Sequence, residues 1–376
     1  MDPNLSELFR RNDIERVAQQ ISDPVARLQY IRTTVSREKA VSRRWALLGI
    51  AASALPLWSD ARRPKSEPAV LTPPVVPAPK AAGAAPDVWP VEHNQEFDLY
   101  SNGLRVENRL EVANEQLAYA PLDRDSLAPG RERTQPAGIV FHTTESDQAP
   151  FESKHKPALK RIGRNVLLYV RRMRAYHFVI DRFGRVNRVV SESDRANHAG
   201  HSIWGDRRWI YLDLNNSFLA VAFEAQSKAE PAPLTSAQVA AGRALTEALR
   251  SRYGLAAENC VTHAQVSVNP SNKRIGWHTD WVCGFPFREV GLPDNYTIPN
   301  PGLARFGFEY DPPYLNSCGP EMRDSVAAAE EQVRFAASQR GLSVYRYRIV
   351  LQQEYAKAEA SLRSRSTAEE KEYDQN

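Results

Sequence analysis

Apolar positions change their spacing several times along the chain, and the changes divide it. Within 1–42, Val17, Ile21, Val25, Leu28 and Ile31 recur at helical spacing and are interrupted by Asp23-Pro24. This predicts a short amphipathic helix pair in a polar N-terminal region. An apolar run of 14 residues then covers 45–58, shorter than the roughly 20 apolar residues a spanning helix needs. Arg43-Arg44 precede the run and Arg62-Arg63 follow it. Segment 43–63 is therefore expected to be an export signal of twin-arginine type or a membrane anchor. Residues 64–90 hold eight prolines and one glycine; proline fixes φ and lacks a donor, so this reads as an extended, semi-rigid linker.

In 91–135, Phe97 and Leu99 lie on one side of Asn102-Gly103, and Leu104 and Val106 on the other. That is a hairpin pattern and predicts a small β extension. Residues 136–298 alternate short apolar runs (138–141, 176–180, 219–223) with a helical stretch (237–253). The alternation predicts an α/β domain with a mixed central β-sheet flanked by helices. Residues 299–376 are expected to form a C-terminal helical extension. Within it 320–365 is highly charged, Val326, Val333, Phe335 and Leu342 are weakly periodic, and Gly341 separates two helices.

Composition narrows the class. Of 376 residues, 42% are hydrophobic and 25% charged, as in ordinary globular chains. The lone apolar run excludes a multi-span membrane protein. Three cysteines exclude a disulfide-built scaffold. The net charge of +4 arises from 49 basic and 45 acidic residues, and no nucleic-acid partner is expected from that near-balance. The 26 prolines outnumber the 18 glycines, and the excess is concentrated in the linker.

Seven of the eight histidines fall within 136–298. His142 ends the apolar run 138–141, His263 follows Cys260-Val261-Thr262, and His278 and Asp280 sit in Gly276-Trp277-His278-Thr279-Asp280-Trp281. A catalytic zinc needs three ligands from His, Asp, Glu or Cys and one open position. Strand ends and adjoining loops are where such ligands are held. Glu224 directly follows five apolar residues. A carboxylate there is costly to bury unless it is paired or used as an acid or base. No compact metal signature occurs, so the weight rests on the joint arrangement.

That arrangement resembles the zinc-dependent N-acetylmuramoyl-L-alanine amidases of the type-2 class, the family that includes the peptidoglycan recognition proteins. The matching pieces are Gly138-Ile139-Val140-Phe141-His142-Thr143-Thr144, the hairpin from Tyr176-His177-Phe178 to Gly184-Arg185-Val186, Asn197-His198-Ala199-Gly200, Asn216 to Glu224, Leu234-Thr235-Ser236-Ala237-Gln238, Thr262-His263-Ala264-Gln265-Val266, and His278-Thr279-Asp280 with Phe285-Pro286-Phe287. The resemblance implies His142, His263 and Asp280 as zinc ligands. It implies Glu224 as the group that deprotonates the attacking water, and Tyr176 as a further catalytic residue. His278 takes the place of the family's lysine and is read as an oxyanion donor; Lys273 is a rival for that role, and His278 is also a rival ligand. His198 is expected to contact substrate, and Trp277 and Trp281 to stack on a sugar. Two features depart from the family pattern. The interval from His263 to Asp280 is longer, and Trp281-Val282 replace a proline and glycine after the third ligand.

The resemblance implies an enzyme that hydrolyses the amide between N-acetylmuramic acid and L-alanine in peptidoglycan, with Zn2+ as cofactor and peptidoglycan or its muropeptide fragments as partner. Residues 45–58 would tether it to the membrane, placing it in the cell envelope or periplasm. The alternatives are a non-catalytic peptidoglycan-binding module of the same fold, or a related amidase acting on another amide. Oligomeric state leaves no mark in the sequence.

Overall fold

The computed structural model describes residues 87–227 and 234–373. The helix pair, the apolar run and most of the proline linker lie outside these residues. Among the described residues no helix is long and apolar enough to cross a membrane.

The chain enters through β1 (Pro90–His93), β2 (Phe97–Tyr100) and β3 (Arg105–Glu107), then β4 (Leu122–Asp123) and β5 (Gly138–Thr143). Helix α1 (Lys156–Met173) leads to the hairpin β6 (Phe178–Ile180) and β7 (Val186–Arg188). Strands β8 (Ile203–Gly205), β9 (Trp209–Leu212) and β10 (Phe218–Phe223) follow, then α2 (Ser236–Tyr253), β11 (Cys260–Thr262) and the short α3 (His263–Val266). After β12 (Arg274–Ile275) come α4 (Gly302–Phe306), β13 (Glu309–Tyr310) and α5 (Pro312–Ser317). Two long helices close the chain, α6 (Pro320–Gln339) and α7 (Val344–Tyr373).

The central sheet has the order β1-β2-β3-β7-β6-β10-β5-β11. Strands β6, β10, β5 and β11 run parallel, in a register that sets Ala222 beside His142 and Val179. Every residue of β5 and β10 is buried. Parallel strands covered on both faces need uninterrupted apolar runs, and the sequence supplies them. One face carries Val179 and Ala222 against Val170 of α1. The other carries Phe141, Phe223 and Val221 in the main core with Leu245 and Leu249 of α2. Thr235 and Gln238 form a capping box that starts α2.

The structure adds detail to the sequence reading at both ends of the domain. The hairpin β2–β3 does form, with Gly103 at φ 83°, but it continues the central sheet through β3 and β7 and does not stand apart. Its inward face also differs: Asp98 and Tyr100 are buried, while Phe97 and Leu99 are half-exposed. Asp98 tolerates burial because Arg188, Asn108 and His93 all bond it. The expected C-terminal helices form, and they pack onto the domain. Met322, Val326, Tyr355 and Ala358 join the main core, and Tyr355 meets Phe306 and Phe308 edge-on at 5.1 and 5.0 Å.

Candidate metal centre

Three elements converge at the C-terminal ends of the parallel strands. His142 is the fifth residue of β5. His263 begins α3 directly after β11, where Thr262 and Gln265 form a capping box that fixes the turn. Asp280 is held beside them because its carbonyl accepts from the Ala264 N–H at 3.2 Å. The ligand atoms of His142, His263 and Asp280 all lie within 4.8 Å of one another, and all three residues are buried. Asp280 bridges the two imidazoles: Oδ2 is 3.2 Å from His142 Nδ1 and Oδ1 is 2.9 Å from His263 Nδ1.

The long interval before Asp280 is used structurally. Val268 bridges to Ile275, β12 pairs with β13, and Gly276 at φ 87° passes close against the Tyr314 ring. The Gly276 N–H donates to the Ser267 carbonyl, and the His278 N–H donates to Ser267 Oγ at 3.0 Å. These bonds return the chain to the centre.

A chain of hydrogen bonds assigns the tautomers. The Phe218 carbonyl can only accept, so His198 Nε2 donates to it at 3.2 Å. Burial, reinforced by the neighbouring histidines, pushes His198 well below its ordinary value, so it is neutral and its Nδ1 accepts. Its partner at 3.0 Å is His142 Nε2, which therefore carries the proton. Burial and the field of His263 push His142 down to about 4. His142 is thus neutral, and its Nδ1 presents a lone pair. Burial alone would raise Asp280, but His263 outweighs it and holds the carboxyl below its ordinary range. A lone pair and a carboxylate oxygen facing each other call for a cation between them. His263 Nε2 is buried with no hydrogen-bond partner among the described residues. Two imidazoles and one carboxylate form a donor set that takes zinc with a position left open.

Other expected site residues divide into those near the centre and those away from it. The Tyr176 ring lies 5.0 Å from the His142 ring, and its hydroxyl donates to the Thr143 carbonyl at 3.4 Å. The His278 ring stacks on His263 at 4.4 Å. Trp277 beside it is exposed. Trp281, at φ 58°, turns inward and meets Phe285 and Phe223 at 5.3 and 6.1 Å, so its ring belongs to the core. Lys273 lies over Tyr355 of α7, 5.4 Å from the ring centroid, where it is a partner of the C-terminal helix. Both ring nitrogens of His198 are engaged by His142 and Phe218, leaving none for a substrate hydrogen bond. His177 is likewise occupied, by Asp194 and Ala220.

Glu224 is buried just past β10, accepts from the Arg182 N–H at 3.2 Å and lies against Gly163 of α1. It shares a face with His142, two positions beyond Ala222, the residue registered with His142. Strand geometry puts the two Cα atoms ~8 Å apart. Burial raises its carboxyl above the ordinary value, opposed by the Arg182 N–H.

Sequence reasoning missed Glu145. Its carboxylate accepts from Thr143 Oγ1 and from the Ser227 N–H, and its charge adds to burial and to the charge of Asp280 in raising the Tyr176 phenol. Its one local sign, a carboxylate three residues after a strand-end histidine, does not distinguish it from a turn residue.

Comparisons with known proteins agree with the motif reading. Residues 132–280 match the family model described as N-acetylmuramoyl-L-alanine amidase. Among solved structures, the amidase LysC from Clostridium intestinale URNW is 21% identical, with 48% of this chain and 93% of that one covered and a TM-score of 0.26. The E. coli amidase AmiD, solved with anhydro-N-acetylmuramic acid-L-Ala-D-gamma-Glu-L-Lys, is 19% identical over 64% and 89% of the chains, with a TM-score of 0.33. Drosophila peptidoglycan recognition protein SD is 16% identical over 42% and 84%, with a TM-score of 0.26. No curated protein matches the chain in sequence.

Proposed function

We propose, from the match of residues 132–280 to the family model described as N-acetylmuramoyl-L-alanine amidase, that this chain hydrolyses the amide between N-acetylmuramic acid and L-alanine in peptidoglycan. The observation that carries the reading is the buried His142–His263–Asp280 group, since a binding module of the same fold has no need of three competent ligands.

In this reading His142, His263 and Asp280 hold zinc. Bound zinc supplies Lewis acidity toward the scissile carbonyl and lowers the pKa of water to about 7. Glu224 takes the proton of the attacking water and returns it to the leaving amine. His278, stacked on His263, donates to the developing oxyanion. Tyr176, beside His142, orients the carbonyl. His198 acts as a positioning residue, because its ring bonds His142. Trp277, exposed next to His278, offers a surface on which a sugar ring can stack. The substrate lies in the cell envelope, and 43–63 would deliver the chain there as an export signal or a tether.

The test is zinc content in the purified protein. The reading expects stoichiometric zinc, lost in His142→Ala, His263→Ala and Asp280→Ala together with peptide release from peptidoglycan. Stoichiometric zinc with no release at any pH would favour the non-catalytic binding module. Release from a different amide alone would favour the related amidase.

A further inference from the structure

Helix α1 carries a second surface that the amidase reading does not use. Its eighteen residues include six cations and no carboxylate. Only Leu159 and Val170 are buried. Arg161, Arg164, Leu168 and Arg172 recur at intervals of three or four, which aligns them along one stripe of a helix. That stripe lies opposite Leu159 and Val170, on the solvent side. Leu168 is 49% exposed, Tyr169 55% and Met173 46%. Arg172 lies over the Tyr169 ring at 5.5 Å. Among the described residues, no carboxylate forms an ion pair with Arg161, Arg164 or Arg172.

An unpaired cationic stripe in a chain of net charge +4 is a local excess, complementary to a dense anionic surface. The exposed Leu168, with Tyr169 beside it, narrows the choice. A hydrated polyanion gives Leu168 nothing to bury against, whereas the headgroup–acyl boundary of a bilayer accepts both apolar and cationic groups. We propose that the outer face of α1 docks on an anionic phospholipid surface, with Arg161, Arg164 and Arg172 at the headgroups, Leu168 in the boundary and Tyr169 at its flank. His142 lies on β5 and shares a sheet face with Ala222, which packs with Val170 on the inner side of α1, so docking of the outer side leaves that centre in place.

The test uses the full chain with vesicles of phosphatidylcholine alone and of phosphatidylcholine mixed equally with phosphatidylglycerol. Whatever the apolar run at 45–58 contributes is common to every variant. The triple variant Arg161→Gln, Arg164→Gln, Arg172→Gln is expected to lose roughly 100-fold in binding to the anionic vesicles, with phosphatidylcholine binding unchanged. Leu168→Ser is expected to lose about tenfold on the same vesicles. Equal binding of the wild type and the triple variant would overturn the proposal. So would a Leu168→Ser variant that binds like wild type while the triple variant loses binding to a soluble polyanion, which would identify a polymer as the partner. These side chains face solvent, and an unchanged thermal midpoint verifies the fold of each variant.

Discussion

His142 Nε2 lies 3.0 Å from His198 Nδ1, and this contact decides which nitrogen of His142 faces His263 and Asp280 in the candidate metal centre. Outer partners of this kind fix ring orientation and tautomer, and their loss costs about 10–100-fold in metal affinity. His198→Ala should weaken zinc binding by that factor in a chelator competition, with substrate affinity of the zinc-saturated protein little changed. A normal zinc constant with a raised KM would return His198 to the substrate-contacting role.

Glu224 carries the proposed proton transfer. Burial raises its carboxyl, and the base must be ionised to act. Activity should therefore fall on acidification with an acid limb above the ordinary glutamate value of about 4.3. The same shift makes protonated Glu224 the more stable folded form, so its contribution to stability is lost as pH rises through the folded value. Glu224→Gln should lower kcat by about 10²–10⁴ while keeping zinc. If Glu224→Gln retains full activity, Glu145→Gln is the variant expected to carry the loss.

Arg188 is buried among Asp98, Asn108 and Glu192, at 2.8, 2.5 and 2.6 Å. Burial opposes its charge, but Glu192 and Asp98 overcome this and raise its pKa. Arg188→Met removes the guanidinium shared by two buried carboxylates, leaving Asp98 to Asn108 and His93 and Glu192 to Arg252 and Tyr253, and should cost about 3 kcal/mol in denaturant unfolding at neutral pH. Burial pushes Asp98 up, yet Asn108, Arg188 and His93 together hold it below its ordinary value. Its contribution is thus present above the unfolded carboxyl value and lost as pH falls through the folded one. The variant's deficit should shrink in acid; a deficit independent of pH would contradict this.

Gly276 sits at φ 87°, and a Cβ there would come within 2.4 Å of the Tyr314 ring. Gly276→Ala should destabilise the loop that carries Asp280 and reduce zinc content along with the melting temperature. Unchanged zinc content would show that Asp280 is held without this turn.

Particular residues show what the sequence can disclose. Parallel strands buried on both faces leave continuous apolar runs, so β5 and β10 are legible, as is His142 at a strand end. Asp98 is misleading: its inward position depends on Arg188, 90 residues away. The role of His198 is hidden for the same reason, since its partner lies 56 residues earlier. Trp281 turns inward because its backbone adopts φ 58°, which nothing in its neighbours announces. The C-terminal helices are legible as helices, but their charge obscures the few positions, such as Tyr355, that enter the core.

The proposed activity is cleavage at one bond. The most direct test is to incubate the zinc-loaded full chain with purified peptidoglycan and determine the products by mass. The expected products are free stem peptides beginning with an L-alanine amine, together with glycan strands that have lost their peptides. Unaltered peptidoglycan despite bound zinc, or cuts confined to the glycan or to bonds within the peptide, would contradict it.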